Sequence, residues 1–376
     1  MEHFKFEILY KSKKSLARVG RIHTPHGIID TPGFVAVGTN GTLKALDSAT
    51  VDSIGLQLMF CNTYHLILQP GSGVVKAAGG LHKFINRKNP IITDSGGFQV
   101  FSLAYGSVAD ELKSRGTKKH DGTVLKISED GVLFRSYRDG SPVLLTPESS
   151  IKAQKDLGAD IIIPFDELPP YHITPKKLFE SFKRTHRWEK RSLDAHLQNR
   201  QNQAMYAVIH GGIDKDLRAE SCKILAALDF DGFAIGGSIG KNREEMIDLL
   251  KSTMQFLPIE KPNHLLGIGD LASLEQSVPL GIDTFDSSYP TRAARHGVLL
   301  TKNGPLRLLK SGNSTIFESI EKDCDCFACK NYTLAYLQHL FKAKEITALN
   351  LATIHNLHFM VRLMEDYRRK IVDGLI

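Results

Sequence analysis

Short apolar runs recur along the chain, and each of them ends in polar or glycine-rich residues. The runs read LQLMFCNTYH, PIITDSGGFQ, ADIIIPFDE, AMYAVIHGG, GFAIGGS, HLLGIGD and GIDTFDSSY. Because many are rich in β-branched residues and none alternates with polar ones, they are typical of strands buried on both faces, as in a parallel sheet. Stretches of helical character lie between them, at residues 146–157, 175–199, 214–227, 243–256 and 271–280. The pattern predicts a strand followed by a helix, repeated along the chain.

Repeated strand-and-helix units leave two architectures, a doubly wound sheet or a (β/α)8 barrel. We favour the (β/α)8 barrel, because nearly every run ends in Asp, His or Gly, and in a barrel such residues converge on one mouth. The chain of 376 residues is long enough for one large barrel with an appendage. The phosphate-binding patterns G-x-x-x-x-G-K-[ST] and G-x-G-x-x-G are absent from the expected places, which argues against nucleotide hydrolysis and a Rossmann domain.

Composition and charge indicate which class of protein the chain belongs to and which partners it permits. The hydrophobic fraction of 42% and the charged fraction of 24% are ordinary for a globular protein, and no apolar run is long enough to span a bilayer. The N-terminal MEHFKFEILYKSKK has no apolar signal core, so we expect a cytoplasmic protein. The formal net charge is +7, with basic clusters at 113–119, 183–200 and 368–370 that permit a polyanionic partner.

The segment CDCFACK places three cysteines, Cys324, Cys326 and Cys329, within one helical turn of each other. In a chain without a leader this spacing indicates a metal site rather than a disulfide framework. A tetrahedral structural zinc needs one further ligand, and His339, His355 and His358 are the candidates in the helices that follow. Four protein ligands would leave no position for water, so this zinc would be structural and catalysis must lie elsewhere.

The region after residue 320 differs from the rest. Its last stretch, 345–371, carries apolar residues at helical spacing: Ile346, Leu349, Ile354, Leu357, Val361, Met364 and Tyr367. That spacing predicts an amphipathic helix packed on a larger body. We therefore expect residues 1–320 to form the barrel with an N-terminal extension, and 321–376 to form a zinc-binding helical subdomain.

Three aspartates follow predicted barrel strands: Asp94 after PIIT, Asp166 after IIIPF, and Asp286 within DTFDSSY. Two carboxylates beside a sugar can act on a glycosidic bond, one attacking the anomeric carbon while the other moves a proton. Glycine pairs at 96–97, 211–212 and 236–237 would let a flat ligand approach the backbone. The residues alone predict a barrel enzyme acting on a glycoside or nucleoside.

The ordered set D-S-G-G-F-Q, F-D-E, H-G-G, A-I-G-G, L-G-I-G-D, F-D-S-S-Y-P-T-R and C-x-C-x-x-C resembles the tRNA-guanine transglycosylase family. The resemblance runs from Ala17 to the C-terminal helix. It implies a homodimer with structural zinc that exchanges guanine at the wobble position of GUN-anticodon tRNAs for a 7-deazaguanine base, queuine or its precursor preQ1. It further implies that Asp286 is the nucleophile that holds the ribose covalently, and that Asp94 is the general acid and base.

The resemblance also assigns binding residues. The base pocket would comprise Asp94, Ser95, Gly96, Gly97, Phe98, Asp166, His210, Gly236, Gly237, Ser238, Gly240 and Leu266. The segments that would contact tRNA are Gly267, Ile268, Gly269, Asp270, Leu271, Ala272 and Ser273, together with Arg292, Ala293, Ala294, Arg295 and His296. The implied zinc ligands are Cys324, Cys326, Cys329 and His355, which favours His355 over the other two histidines.

The chain departs from the usual bacterial pattern in the base pocket. His210 stands where those members have glutamine, Leu168 where they commonly have cysteine, and Gly240 where they have valine. The loop after Gly237 also lacks their glutamate. Smaller Gly240 favours the bulkier queuine, whereas larger Leu168 opposes it, and we expect queuine to be accepted. The alternatives are a strictly preQ1-using enzyme and a non-catalytic tRNA-binding zinc subunit, against which the presence of both aspartates argues.

Overall fold

The centre of the molecule is a closed parallel barrel. The computed structural model describes residues 4–105 and 124–376. Its strands are β1 (Lys5–Lys11), β2 (Arg18–Thr24), β3 (Gly27–Thr31), β4 (Gly33–Val37), β5 (Leu58–Cys61), β6 (Ile91–Thr93), β7 (Val124–Ile127), β8 (Val132–Arg135), β9 (Pro142–Leu145), β10 (Ile161–Ile162), β11 (Ala204–Ile209), β12 (Gly232–Ile235), β13 (Asn263–Leu265), β14 (Thr284–Ser287), β15 (Val298–Leu299) and β16 (Leu306–Arg307). The barrel closes in the order β10, β11, β12, β13, β14, β4, β5, β6. All its pairs are parallel, so the carboxyl ends of the strands share one mouth and the (β/α)8 prediction is confirmed.

Helices follow the barrel strands. They are α1 (Ser48–Ser53), α2 (Thr63–Leu68), α3 (Ser72–Ala77), α4 (Leu81–Phe84), α5 (Gly97–Tyr105), α6 (Pro147–Leu157), α7 (Pro175–Leu197), α8 (Lys215–Ala226), α9 (Arg243–Met254), α10 (Leu271–Ser277), α11 (Tyr289–Arg295), α12 (Phe327–Asn331), α13 (Leu334–Lys342) and α14 (Ile346–Val372). Local chemistry sets their ends: Thr146 forms a capping box with Ser149 before α6, and Gly158 ends that helix in the left-handed region at φ 71°. The expected helices are all present, with ends within a few residues of those predicted.

One barrel strand and three small sheets were missing from the sequence analysis. The strand is β4, whose run GFVAV completes the barrel between β14 and β5. The sheets are antiparallel: β1–β2–β3 before the barrel, β7–β8–β9 between β6 and β10, and β15–β16 after β14. The basic cluster at 113–119 lies outside the described residues.

Aspartates also lie at the end of the barrel opposite the mouth, where the strands begin. Asp160 accepts a hydrogen bond from the amide of Ile91 at 2.8 Å, and Asp283 accepts one from Asn263 at 2.7 Å. Asp283 is also paired with buried Arg18 at 2.6 Å. These carboxylates satisfy strand amides that have no backbone partner, so their role is structural. Within the run GIDTFDSSY, the first aspartate is therefore a fold element and only the second reaches the mouth.

The C-terminal helix packs on the barrel as expected. α14 contacts α11, β2 and β4, and buries Leu351, Leu357, Met360 and Met364 in the same core cluster as the barrel helices. Ile346 was expected on this face, but it is 77% exposed because it occupies the first position of the helix, ahead of the packed turns. Nowhere in the described part of the chain does a helix combine the length and apolar character needed to cross a membrane.

Candidate active site and candidate metal centre

Asp94 lies at the barrel mouth directly after β6, and four hydrogen bonds from three neighbours hold its carboxylate and backbone in place. Its Oδ1 accepts the Thr63 amide at 2.7 Å, and its Oδ2 accepts the amide groups of Asn62 at 2.6 Å and Gln99 at 2.7 Å. The Thr63 hydroxyl donates to the Asp94 carbonyl at 2.6 Å. Asn62 begins α2 without a side-chain cap, so its amide is free for Asp94. The carboxylate is fixed in one orientation.

Burial raises the pKa of the Asp94 carboxyl to about 6, even though the bonds from Asn62, Thr63 and Gln99 each favour its ionised form and lower the pKa. The side chain is only 7% exposed. A carboxyl with this pKa can hold or release a proton near neutral pH, which is what a general acid and base requires.

Asp286 ends β14 on the same mouth and is 6% exposed. Its Oδ1 accepts the Gly267 amide at 2.8 Å and faces Nε2 of buried His264 at 3.1 Å. His264 Nδ1 faces the Thr284 hydroxyl at 2.8 Å, so a Thr284 donor would leave the His264 proton on Nε2, directed at Asp286. Among the residues that the structure describes, none hydrogen-bonds Asp286 Oδ2, which remains available to a ligand. The site thus presents a second, separately held carboxylate.

The loops after β6 and β10 meet at Asp166. The Ser95 hydroxyl donates to Asp166 Oδ1 at 3.0 Å and accepts the Gly97 amide at 3.2 Å. Glycine is required at 97, because a Cβ there would lie 2.7 Å from the Asp166 carbonyl oxygen. Phe98, the next residue, is 56% exposed, which leaves its ring free to cover a planar ligand.

A buried arginine joins the other two pocket loops. Arg218 of α8 donates to the carbonyls of Gly212 at 2.7 Å and Ile209 at 3.2 Å after β11, and to that of Gly236 at 2.9 Å after β12. Burial lowers its pKa to about 10, which still leaves it charged at neutral pH. At Gly236 a Cβ would lie 2.7 Å from a terminal methyl group of Leu266, so a larger residue there would require the Leu266 side chain to move. One guanidinium therefore sets the positions of both glycine pairs.

Gly240 has a backbone reason to be glycine as well as a volume reason. Its φ is 117°, and a Cβ would lie 3.0 Å from the Met246 amide and 3.1 Å from Glu245 Oε2. The carboxylate of Glu245 accepts the Lys241 amide at 2.7 Å and the Tyr171 hydroxyl at 3.2 Å. The loop lacks its own glutamate, as the sequence indicated, but a carboxylate from α9 lies against it.

The three cysteines converge on one histidine. His355 Nδ1 lies 3.8 Å from Cys324 Sγ, 3.6 Å from Cys326 Sγ and 3.4 Å from Cys329 Sγ. Tetrahedral zinc, with bonds of 2.0–2.3 Å, needs about 3.6 Å between nitrogen and sulfur ligands. His355 Nε2 faces the Leu300 carbonyl at 2.8 Å, which keeps the proton there and leaves Nδ1 free for a metal. His339 is exposed and His358 is paired with Asp325, so the cluster can hold a metal, consistent with zinc, through His355.

A second cluster lies at the end of the barrel opposite the mouth and consists of His26, His82 and Asp160. The two imidazoles stack face to face at 3.5 Å with 10° between their planes. A metal binds in the plane of an imidazole ring, and two parallel rings at this spacing cannot both offer that plane to one ion. His26 Nδ1 lies 2.7 Å from Asp160, a hydrogen-bond distance, so the cluster is an ion-paired support for β10.

Comparison with known proteins gives the family. A family model described as TGT, queuine tRNA-ribosyltransferase, matches residues 12–376. A protein named queuine tRNA-ribosyltransferase from Protochlamydia amoebophila is 73% identical over 376 residues, which cover 100% of this chain and 97% of that protein. The chain belongs to the queuine tRNA-ribosyltransferase family. Proteins of the same name from Chlamydia caviae and Chlamydia trachomatis serovar D are 54% and 55% identical, each over 99% of both chains.

The segments that the family resemblance assigned to tRNA are only partly open to solvent. Arg292, Arg295 and His296 are exposed at the end of α11. Ser273 and Ala294 are buried, so their side chains do not face a ligand. Asp270 caps α10 and pairs with Arg243 at 2.9 Å. Within these two segments, Arg292 and Arg295 present exposed positive charge.

Four residues at the candidate active site were not identified in the sequence analysis: Asn62, Gln99, Arg218 and His264. The available signal was position, since Asn62 and His264 stand in the quoted runs LQLMFCNTYH and HLLGIGD, and Gln99 stands in D-S-G-G-F-Q. Arg218 gave none, because it lies in the middle of a helix among other polar residues. Its partners are carbonyls of distant loops, which only the fold brings together.

Proposed function

We propose that this protein exchanges guanine at the wobble position of tRNAs with GUN anticodons, those for aspartate, asparagine, histidine and tyrosine, for a 7-deazaguanine base. The observation that carries the proposal is the pair Asp94 and Asp286, each held at the barrel mouth with a separate set of donors. Membership of the queuine tRNA-ribosyltransferase family and 73% identity to a relative of that name support it.

The proposed reaction is a double displacement. An oxygen of the Asp286 carboxylate attacks ribose C1′, the bond from C1′ to guanine N9 breaks, and Asp94 donates its proton to the departing guanine. The new base then loses its N9 proton to Asp94, and N9 attacks C1′ and releases Asp286. Both carboxylates are buried, where water competes little with the incoming base.

The proposed base pocket has a polar edge and an aromatic face. Asp166 would accept the donors of the Watson–Crick edge, Phe98 would stack on the ring, and the backbone at Gly237 would approach it closely. Ser238 contributes a buried hydroxyl that no other described residue hydrogen-bonds, which suits a polar ligand. Arg292 and Arg295 would contact the phosphates on either side.

The identity of the 7-deazaguanine base is the finer part of the proposal. We expect queuine, because glycine at position 240 brings no side chain of its own to the loop beside the pocket. Since Gly240 also serves the backbone, a Gly240 variant would strain its loop and would not report on pocket size alone. Direct competition between bases on the unaltered enzyme is the better test.

The proposal includes one structural zinc ion per chain, held by Cys324, Cys326, Cys329 and His355. When bound, such an ion supplies on the order of 10 kcal/mol or more to the folding of its own segment. Four protein ligands fill its shell, so the ion takes no part in the reaction. The proposal also includes a barrel of residues 1–320, a zinc subdomain of residues 321–376, and localisation in the cytoplasm.

We also infer a homodimer. Near the metal cluster, Phe327 is 55% exposed, Tyr336 is 42% exposed and Phe317 is 75% exposed. Tyr332 and Tyr336 stack at 5.4 Å and present a continuous aromatic surface. A second copy of the chain would cover it, since large exposed aromatic surfaces are uncommon on monomers. Sedimentation velocity of the enzyme and of Tyr336→Arg tests this. The same mass for the variant as for the unaltered enzyme would contradict it.

The experiment for the proposed activity is base exchange. Purified enzyme is given tRNA with a GUN anticodon preloaded with labelled guanine, then chased with queuine or preQ1. We expect label release with queuine, alone or far better than with preQ1. Release with preQ1 alone would identify a strictly preQ1-using enzyme. No release with either base, nor with unlabelled guanine, would favour the non-catalytic tRNA-binding subunit.

A further inference from the structure

A buried carboxyl group that the proposed reaction does not use lies behind the base pocket. Glu189 of α7 is 0% exposed, and no lysine or arginine pairs with it among the described residues. The Val208 amide donates to its Oε2 at 3.2 Å, where β11 extends beyond the short strand β10. Its other oxygen, Oε1, has no hydrogen-bond partner and faces Nε2 of His210 at 3.7 Å. A buried carboxyl oxygen without a partner requires an explanation.

His210 stands between this carboxyl and the pocket. Its Nε2 lies 3.2 Å from Asp166 Oδ2, though outside hydrogen-bond geometry, as well as 3.7 Å from Glu189 Oε1. Its Nδ1 lies on the side of Gly237, 3.7 Å from the position of a Cβ on that glycine. One ring nitrogen therefore faces two carboxyl groups, while the other faces the loop that borders the base.

The charged side chains around His210 determine how many protons His210 and its neighbouring carboxyl groups hold between them. The titratable and charged side chains near it, within the described part of the chain, are Asp166 and Glu167 from the loop after β10, Arg184, His186 and Glu189 from α7, and Arg218 from α8. Glu167 is paired with Arg184 at 2.8 Å, and Arg218 is bound to loop carbonyls. Burial lowers the pKa of His186 to about 4, so it is neutral. Asp166, His210 and Glu189 are left to share protons.

Two arrangements of these protons are consistent with the geometry. A bare Nε2 lone pair would face carboxyl oxygens, so Nε2 carries a proton in both. If Glu189 is protonated, His210 is neutral and Nδ1 is an acceptor. If Glu189 is ionised, its proton lies on His210 Nδ1, and Nδ1 is a donor. Burial and the nearby Asp166 charge raise the pKa of Glu189 well above its ordinary value, which favours the first arrangement in the empty pocket.

We propose that Glu189 is a positioning residue that shares one buried proton with His210 and thereby makes Nδ1 of His210 a hydrogen-bond donor when the base binds. The inference rests on the proposed function. On guanine and 7-deazaguanine the N1–H donor, which suits Asp166, is followed along the edge by O6, which is an acceptor. His210 Nε2 lies 3.2 Å from Asp166 Oδ2, so the imidazole stands beside the group that suits N1–H. Binding of O6 favours Nδ1–H: Nδ1 gains one proton and Glu189 loses one, so no proton is taken up from bulk solvent in net.

As a consequence, the affinity of the unaltered enzyme for the base should stay constant at neutral and alkaline pH. Without Glu189 as the internal source, His210 must take a proton from water before it can donate to O6. Base binding would then weaken as the pH rises, by up to about tenfold for each pH unit, as expected for uptake of one proton. Glutamine at 189 keeps the shape and the bond from Val208 but cannot supply the proton.

The test compares Glu189→Gln with Glu180→Gln, the same change at an exposed position of the same helix. Guanine binding is measured by calorimetry between pH 7 and 8.5 in buffers of different ionisation enthalpy. We expect no net proton uptake and a constant Kd for the unaltered enzyme and for Glu180→Gln. For Glu189→Gln we expect uptake of about one proton and a Kd that rises with pH. Equal uptake and equal Kd in all three proteins would overturn the proposal.

Two further measurements keep the inference testable. In a His210→Gln background, Glu189→Gln should add no pH dependence to guanine binding, and an undiminished effect there would contradict action through the imidazole. If Glu189→Gln does not fold, the nitrogen signals of His210 are followed in the unaltered protein at pH 8. They should become those of an imidazolium when guanine is added, and signals that stay neutral would refute the proton transfer.

These readouts separate the inference from the proposed function. Calorimetry and nuclear magnetic resonance with guanine need neither tRNA nor turnover. An enzyme that binds guanine as described but releases no labelled base from tRNA would disprove the proposed activity alone. An enzyme that exchanges bases normally while Glu189→Gln binds guanine like the unaltered protein would disprove the role of Glu189 alone.

Discussion

Removal of the Asn62 side chain tests how the barrel mouth controls the proton on Asp94. Asn62 Nδ2 donates to Asp94 Oδ2 at 2.6 Å, and this bond favours the ionised carboxylate. Asn62 makes no side-chain bond to the start of α2, so Asn62→Ala leaves that helix end unchanged. The expected primary effect is therefore on the pKa of Asp94.

The magnitude follows from the strength of the bond. A hydrogen bond to a charged group contributes about 1.5–3 kcal/mol, and one pKa unit corresponds to about 1.4 kcal/mol. Loss of the bond makes the ionised form less favourable, so the pKa of Asp94 should rise from about 6 by roughly 1–2 units. With a shift of about 1.5 units, the ionised fraction at pH 6.5 falls about eightfold, whereas at pH 8.5 it hardly changes.

The assay is the pH profile of kcat/KM for the incoming base in the exchange reaction. The acidic limb of the unaltered enzyme should lie near pH 6 and that of Asn62→Ala one to two units higher, with similar rates at pH 8.5. Asn350→Ala is the matched control, because it removes the same kind of amide at a position where that amide donates to the Ala45 carbonyl and not to Asp94. Superimposable acidic limbs for Asn62→Ala and the unaltered enzyme would refute the argument.

Three further changes test other parts of the site. Asp286→Asn should abolish the covalent adduct with tRNA, seen as a shifted band on a denaturing gel, since an amide does not attack the anomeric carbon; a persistent adduct would disprove Asp286 as nucleophile. Cys326→Ser should lower zinc content by elemental analysis and also the melting temperature, with activity falling only as folding fails; lost chemistry in a zinc-loaded, fully folded variant would contradict a structural role. Arg218→Met leaves loop carbonyls without donors, each at a cost of about 1–3 kcal/mol, so we expect a lower melting temperature and weaker binding of the base in calorimetry. Unchanged base affinity in folded Arg218→Met would show that the two loops keep their positions without it.

The fold class was predictable because a barrel strand is buried on both faces and leaves an uninterrupted apolar run. The strand β4 was missed although its run GFVAV has the same character, since short runs between glycines also occur in loops. Ile346 was assigned to a buried face by spacing, but spacing cannot tell where packing begins along a helix. The antiparallel sheets were not foreseen, because their strands alternate weakly and pair locally.

The sequence by itself determined the repeated strand and helix, the spacing of the three cysteines, and the aspartates at strand ends. All of these depend on neighbours within a few residues, which is the range over which periodicity and motif chemistry act. Only the tertiary structure decided that Asp283 supports the barrel while Asp286 faces its mouth, and that His355 rather than His339 meets the cysteines. It also decided which buried groups lie together, Asp94 with the amides that donate to it and Glu189 with His210. Those contacts join residues far apart in the chain, and their electrostatic effect depends on the burial that folding creates.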